Sequence, residues 1–140
     1  MTTTVRISAS VHDLLKQESR ESGQTMQAVL EEALELLRRK RFLDEVNARG
    51  VQLADGLRRL QEHHPSIVQV RGLGLMVAAQ FDTAPRTSAV VSHCLHEGKL
   101  ILMTAGAAGT TLRFMPPLTV SAEEIDVALA ALDKALVDAA

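Results

Sequence analysis

From Met26 to His64 the chain has no proline, and only Gly50 and Gly56 weaken helicity. Met26, Val29, Leu30, Ala33, Leu34 and Leu37 recur at spacings of three and four, an apolar stripe along one helical face. Leu53, Leu57 and Leu60 continue the pattern until His64-Pro65. Unbroken, such a helix would extend about 55 Å at 1.5 Å per residue. Any architecture for this chain has to give that stripe an apolar surface to lie on.

The residues before this tract read differently. Thr2 to Ser8 alternate, with Val5 and Ile7 on one side and Thr2, Thr4 and Arg6 on the other. Their β-branched character suits a strand. Ser8 or Ser10 caps a following helix that carries Val11, Leu14 and Leu15 and ends near Ser22-Gly23, with Gly23 in the left-handed C′ position. Thr25 caps the next helix. A lone strand cannot satisfy its own backbone, and a unit this small builds little core. A twofold partner repairs both: two copies of the strand pair antiparallel and the helices pool their stripes.

The strings TTTVRIS, HDLLKQ and ESGQTMQAVLEEALELLRRKRFLDEVNA resemble the ribbon-helix-helix DNA-binding family, especially repressor-antitoxins. That resemblance implies a dimerisation and DNA-binding domain over residues 1–46. The paired strands would enter the major groove, with Thr4 and Arg6 reading base edges and Thr2 beside them. Thr25 and Met26, at the start of the second helix, would hold a phosphate on free backbone amides. It also implies double-stranded DNA as partner, a homodimer or higher homo-oligomer, and a cognate toxin. The run Arg38-Arg39-Lys40-Arg41 touches phosphates in that reading and is a solvated helix face otherwise.

Beyond residue 46 the pattern changes to mixed elements. Ile67 to Phe81 reads as one buried strand, with Gly72 and Gly74 permitting a bend. Ser88 to Glu97 is a short helix stopped by Gly98. Lys99–Thr104 and Thr110–Met115 are strands around AGAAG, and Pro116-Pro117 breaks the chain. Ser121 and Glu124 form a capping box for a last helix striped with Ile125, Leu129, Leu132 and Leu136. The fold class is α+β: a strand-helix-helix unit joined by a long helix to a small α+β domain, residues 47–140, with a three-stranded sheet.

The strings VRGLGLMVAAQF, HCLHEGKLILMTAG and TTLRFMPPLTVSAEEIDVALAALDKAL resemble the small C-terminal domain of class III aminotransferases, which use pyridoxal phosphate. By position, Arg113 is the arginine that binds the substrate carboxylate in that family. Several members carry Cys, Tyr and Asn in the preceding loop, where this chain has Thr104, Ala107 and Thr110. The family's catalytic lysine and its cofactor contacts belong to a large domain that no stretch here resembles. Neither Lys99 nor Lys134 matches the catalytic position, so no catalytic residue and no cofactor are expected. The combined reading is a fusion: a DNA-binding repressor of antitoxin type, not an enzyme, with an incomplete aminotransferase-like body. The alternatives are a ligand-responsive or interaction module holding a small carboxylate at Arg113, and a toxin-neutralising antitoxin.

Composition narrows the remaining classes. A formal net charge of −2 excludes a generally basic nucleic-acid coat, so any such site is a local patch. Residues 1–50 hold eight basic against eight acidic side chains. With aromatics at 2% and neither Trp nor Tyr, base stacking on aromatic platforms is excluded. A single cysteine, Cys94, excludes an internal disulfide framework and fits the cytoplasm, where Cys94 is a small core residue. His93-Cys94-x-His96 lacks a second ligand pair, so no metal is expected. No apolar run is long enough to span a membrane, and MTTTVRIS, with no basic stretch before an apolar one, is not expected to act as a signal peptide. His63-His64 reads as a solvated helix end.

Overall fold

The computed structural model describes residues 8–38 and 40–139. The chain divides into two compact units, Met1–Leu43 and Asp44–Ala140. The strand expected at Thr2–Ser8, and with it Thr2, Thr4 and Arg6, lies outside the described residues apart from Ser8.

The first unit is a helical pair, α1 (Ala9–Ser22) and α2 (Met26–Arg38). Its punctuation follows local chemistry. Ser8 Oγ accepts from the Val11 amide at 3.4 Å and opens α1. Gly23, at φ +69°, closes it in the left-handed conformation. Thr25 Oγ1 accepts from the Ala28 amide at 3.2 Å and opens α2. Ser19 Oγ donates to the Gln24 carbonyl at 2.6 Å, fastening α1 to the turn. No residue of α1 is buried.

The second unit contains the core. Helix α3 (Lys40–His63) contributes Leu53 and Leu57 to it. Two strands follow, β1 (Ile67–Leu73) and β2 (Met76–Phe81), then α4 (Ala84–His96), β3 (Met103–Ala105), β4 (Thr111–Phe114) and α5 (Ala122–Asp138). The sheet is antiparallel throughout, in the order β1-β2-β4-β3.

The sheet therefore has four strands, not the expected three. The run from Ile67 to Phe81 is a hairpin: Leu73 pairs with Met76 around the two-residue loop Gly74-Leu75. Gly74 has φ +55° and Leu75 does not have positive φ, which suits a type II′ loop with glycine first. The loop also needs a close neighbour without a side chain. A Cβ on Gly50 of α3 would stand 2.5 Å from the Gly74 carbonyl carbon, so the helix backbone rests directly on the turn.

Two further boundaries move. Helix α4 begins at Ala84, earlier than Ser88, because Pro85 fits the first turn, where its missing N–H is not required. Of the expected strand Lys99–Thr104 only its last residues pair, and the strand runs on to Ala105. Lys99 adopts φ +54° and the Leu100 amide donates to the Cys94 carbonyl at 2.8 Å, so these residues close α4 instead. The last helix keeps its capping box: Ser121 Oγ accepts from the Glu124 amide at 3.1 Å, and the Ser121 amide donates to Glu124 Oε2 at 2.8 Å.

Alternation gives the sheet two unlike faces. Val77, Ala79 and Phe81 of β2 and Leu112 and Phe114 of β4 are buried. They meet Leu57 of α3, Val90 and Cys94 of α4, and Ile125, Leu132 and Leu136 of α5 in one core. Polar ties hold the helices in place. Gln52 Nε2 donates to the Ala122 carbonyl at 3.0 Å and to Asp126 Oδ1 at 2.8 Å. His64 Nε2 lies 2.7 Å from Asp133 Oδ1. His64, with 15% of its side chain exposed, is thus a packed link between the end of α3 and α5, not a solvated end. Among the described residues no helix is long and apolar enough to cross a membrane.

Candidate functional site

The other face of the sheet carries the candidate site. Thr111 and Arg113 of β4 alternate with Leu112 and Phe114, so they stand on the face away from the core. Arg113 is in register with Ala78 of β2 and with Met103 of β3. Ala78 is in turn in register with Arg71 of β1, and Gln80 with both Gln69 and Thr111. None of these residues is buried, and none is acidic.

Arg113 is half-buried, and its Nε is shielded from solvent with no hydrogen-bond partner. Among the described residues no carboxylate lies within ion-pair distance of it. A guanidinium is a permanent cation with five N–H donors in a fixed fork. Leaving a buried donor unpaired costs about 1–3 kcal/mol, a cost that a bidentate carboxylate removes. The arginine is not, as a structural strand arginine would be, spent on an acidic neighbour.

A cavity of about 380 Å³ opens beside it, between residues 100–103, the end of β4 and α5. Leu53, Leu102, Phe114 and Ile125 are among its apolar walls, with Arg113 its one cation and Glu124 its one acid. Glu124 already accepts the Ser121 amide in the capping box. Of its lining residues Ile101, Met103 and Met115 are exposed. The combination offers a cationic anchor beside an apolar wall, suited to a small organic carboxylate.

The remaining sequence candidates fall elsewhere. Thr25 and Met26 sit at the start of α2 in the first unit, and Thr25 Oγ1 serves that helix as a cap. Cys94 is fully buried in the core, and burial pushes its thiol above the usual range, which makes it inert. His93 Nε2 lies 3.3 Å from Asp138 Oδ2 but without hydrogen-bond geometry. No group of three potential metal ligands occurs among the described residues.

Comparison with known proteins decides the lineage. Residues 23–136 match the family Aminotransferase class-III. The chain belongs to the class-III aminotransferases. The acetylornithine aminotransferase of Thermosynechococcus vestitus is 43% identical over 105 residues, which are 73% of this chain and 25% of that protein. The L-lysine-epsilon aminotransferase of Amycolatopsis lactamdurans is 40% identical over 104 residues, 74% of this chain and 23% of that protein. A lysine aminotransferase from M. tuberculosis, solved in the internal aldimine form, superimposes with a TM-score of 0.71 at 32% identity, over 77% of this chain and 24% of that one. A solved transaminase with L-ala covers 94% of this chain and 35% of its own, at a TM-score of 0.69 and 25% identity. This aminotransferase chain spans about a quarter of the length of the curated relatives it matches.

These matches overturn the ribbon-helix-helix reading. The aminotransferase stretch begins at Gly23, so the SGQTM turn from Gly23 onward, and all of α2, belong to it. The repressor and antitoxin function falls with that reading, and the expectation that the chain is not an enzyme is corrected to homology with part of the aminotransferases. The DNA-contact roles of Thr25 and Met26 lose their support, as do DNA and toxin as partners. The physical reason is plain. A capped helix, a left-handed glycine and an amphipathic second helix satisfy any helical pair, whatever fold contains it. The residues that would distinguish a DNA-reading ribbon, Thr2, Thr4 and Arg6, are outside those described.

Proposed function

We propose that this chain supplies the substrate-carboxylate side of an aminotransferase active site, in the cytoplasm, and that Arg113 is the residue that holds the carboxylate. The observation that carries this reading is the shielded, partnerless Nε of Arg113 on an acid-free sheet face. The arginine also bears the position that the family resemblance assigns to carboxylate binding. Its fork would accept one carboxylate through two charge-assisted hydrogen bonds and fix the substrate's orientation. The apolar cavity walls would keep water from the pair and strengthen it.

Pyridoxal phosphate supplies the electron sink in this family. The described residues do not fit that group by themselves. No lysine lines the cavity beside Arg113. Lys99 Nζ donates to the His96 carbonyl at 2.7 Å, and Lys16 and Lys134 are exposed. Anchoring the cofactor therefore falls to residues other than those described, and the role proposed for this stretch is recognition.

Calorimetric titration of the purified chain with simple amino acids, keto acids and 4-aminobutyrate tests the reading. We expect saturable heat with carboxylates, weakened about tenfold or more in Arg113→Gln. Equal heats for the two proteins, or none with any carboxylate, would remove it.

A further inference from the structure

The apolar stripe of α2 is covered over only half its length. Met26, Val29 and Leu30, in its first half, are half-buried. Leu34 and Leu37 continue the same face and remain 51% and 45% exposed. The spacing Leu30-Leu34-Leu37, four residues and then three, is that of the core positions in a two-helix seam. A single exposed leucine needs no explanation. A seam that runs on past its cover leaves two neighbouring knobs without holes.

The charges beside this seam are arranged by sign. Glu31 follows Leu30 and Arg38 follows Leu37, so both stand on the same flank. Glu31 Oε1 accepts from Gln27 Nε2 at 2.8 Å, a contact that leaves its charge in place. Among the described residues neither Glu31 nor Arg38 has an oppositely charged group within ion-pair distance.

Orientation then decides the occupant. Let two copies of α2 lie antiparallel about a twofold axis midway between Leu34 and Leu37. Leu34 of each copy meets Leu37 of the other, and Glu31 of each lies beside Arg38 of the other. The twofold forms each ion pair twice. A parallel pair instead sets Glu31 and Arg38 beside Met26 and Ala33 of the second copy, and gains no ion pair. The face is complementary to its own antiparallel copy, in apolar side chains and in charge.

We propose that the second half of α2 is an interface between two copies of this chain, with the helices antiparallel, Leu34 against Leu37 and Glu31 paired with Arg38. The interface needs neither the residues before Ser8 nor a nucleic acid, and it is independent of the role of Arg113. One helix pair is a small contact, so the dimer dissociates at micromolar concentrations.

Sedimentation equilibrium of the full chain, from about 1 μM to 1 mM, tests the proposal. The mass should rise from one chain to two. Leu34→Gln combined with Leu37→Gln should stay monomeric throughout. Glu31→Arg alone and Arg38→Glu alone should each weaken the dimer about tenfold or more, because each sets like charges side by side. Glu31→Arg combined with Arg38→Glu remakes the pairs with their signs exchanged and should recover the affinity. A merely structural role of either residue would give no such recovery. Helix content, read by far-UV circular dichroism at the lowest concentration, should be the same in every variant; should it fall in the leucine variant, the charge variants carry the test alone. A monomer at every concentration would overturn the interface, as would a dimer indifferent to the loss of both leucines. A dimer that ignores both single charge changes, or that the combined change fails to restore, would overturn the antiparallel pairing.

Discussion

The helical pair α1–α2 and the α+β unit that follows are equally well punctuated, yet they differ in what their side chains bury. In the first unit Val11, Leu14, Leu34 and Leu37 remain exposed, and α1 buries nothing. In the second, Leu57, Phe81, Leu112 and Leu132 are sealed between the sheet and three helices. Amphipathic spacing is thus a statement about a helix, not about its partner. What separates the two regions is a sheet able to receive the apolar stripes.

The largest contrast should come from truncating side chains. Phe81→Ala removes a ring with 1% exposure and should cost about 3–5 kcal/mol in denaturant unfolding. Leu14→Ala, with 65% exposure, should cost about 0.5 kcal/mol or less. Comparable losses at the two sites would break the distinction.

Adding a single carbon should sharpen it. Gly50→Ala drives a Cβ into the backbone of Gly74 and should cost about 1–3 kcal/mol, read as a lower midpoint. Gly23→Ala meets no atom within 4 Å, so only its left-handed φ opposes the change, at about 1 kcal/mol.

Caps should make the regions alike. Ser121→Ala removes a capping box and Thr25→Ala a simple cap; each should cost about 1 kcal/mol, since a cap is a local interaction. If only Ser121→Ala registers, the helices of the first unit contribute nothing to the measured transition.

The smallest effect concerns Cys94. Burial raises its thiol pKa, so the thiol stays protonated where an unfolded cysteine ionises. Its contribution to stability is complete below the ordinary cysteine value of about 8.5 and is lost as pH rises through the raised value. Cys94→Ala should flatten that alkaline decline, and native Cys94 should resist alkylation until the chain unfolds.

Much of the second unit was legible because its signals are local. The Ser121–Glu124 box, the stop at Gly98 and the alternation in TLRF each depend on a few neighbours. The hairpin at Gly74 was hidden by a continuous apolar run, in which Leu75 and Val77 look like one strand's interior. Once the turn is placed, Arg71 and Ala78 come into one row with Arg113, a neighbourhood that a single continuous strand would not give. Arg113 itself was reachable only through the resemblance, because nothing in its neighbours tells a ligand-binding arginine from an ion-paired one. The family of the first helices was misread because α2 carries the same periodicity in either fold.

The most direct measurement places residues 23–136 of this chain into the acetylornithine aminotransferase of Thermosynechococcus vestitus, in place of the matching quarter, and follows that enzyme's own reaction. We expect a folded chimera that turns over, and whose kcat/KM falls about a hundredfold in Arg113→Gln, the loss of a charge-assisted carboxylate pair. A folded, active chimera indifferent to Arg113→Gln would contradict the assignment of the carboxylate to this arginine.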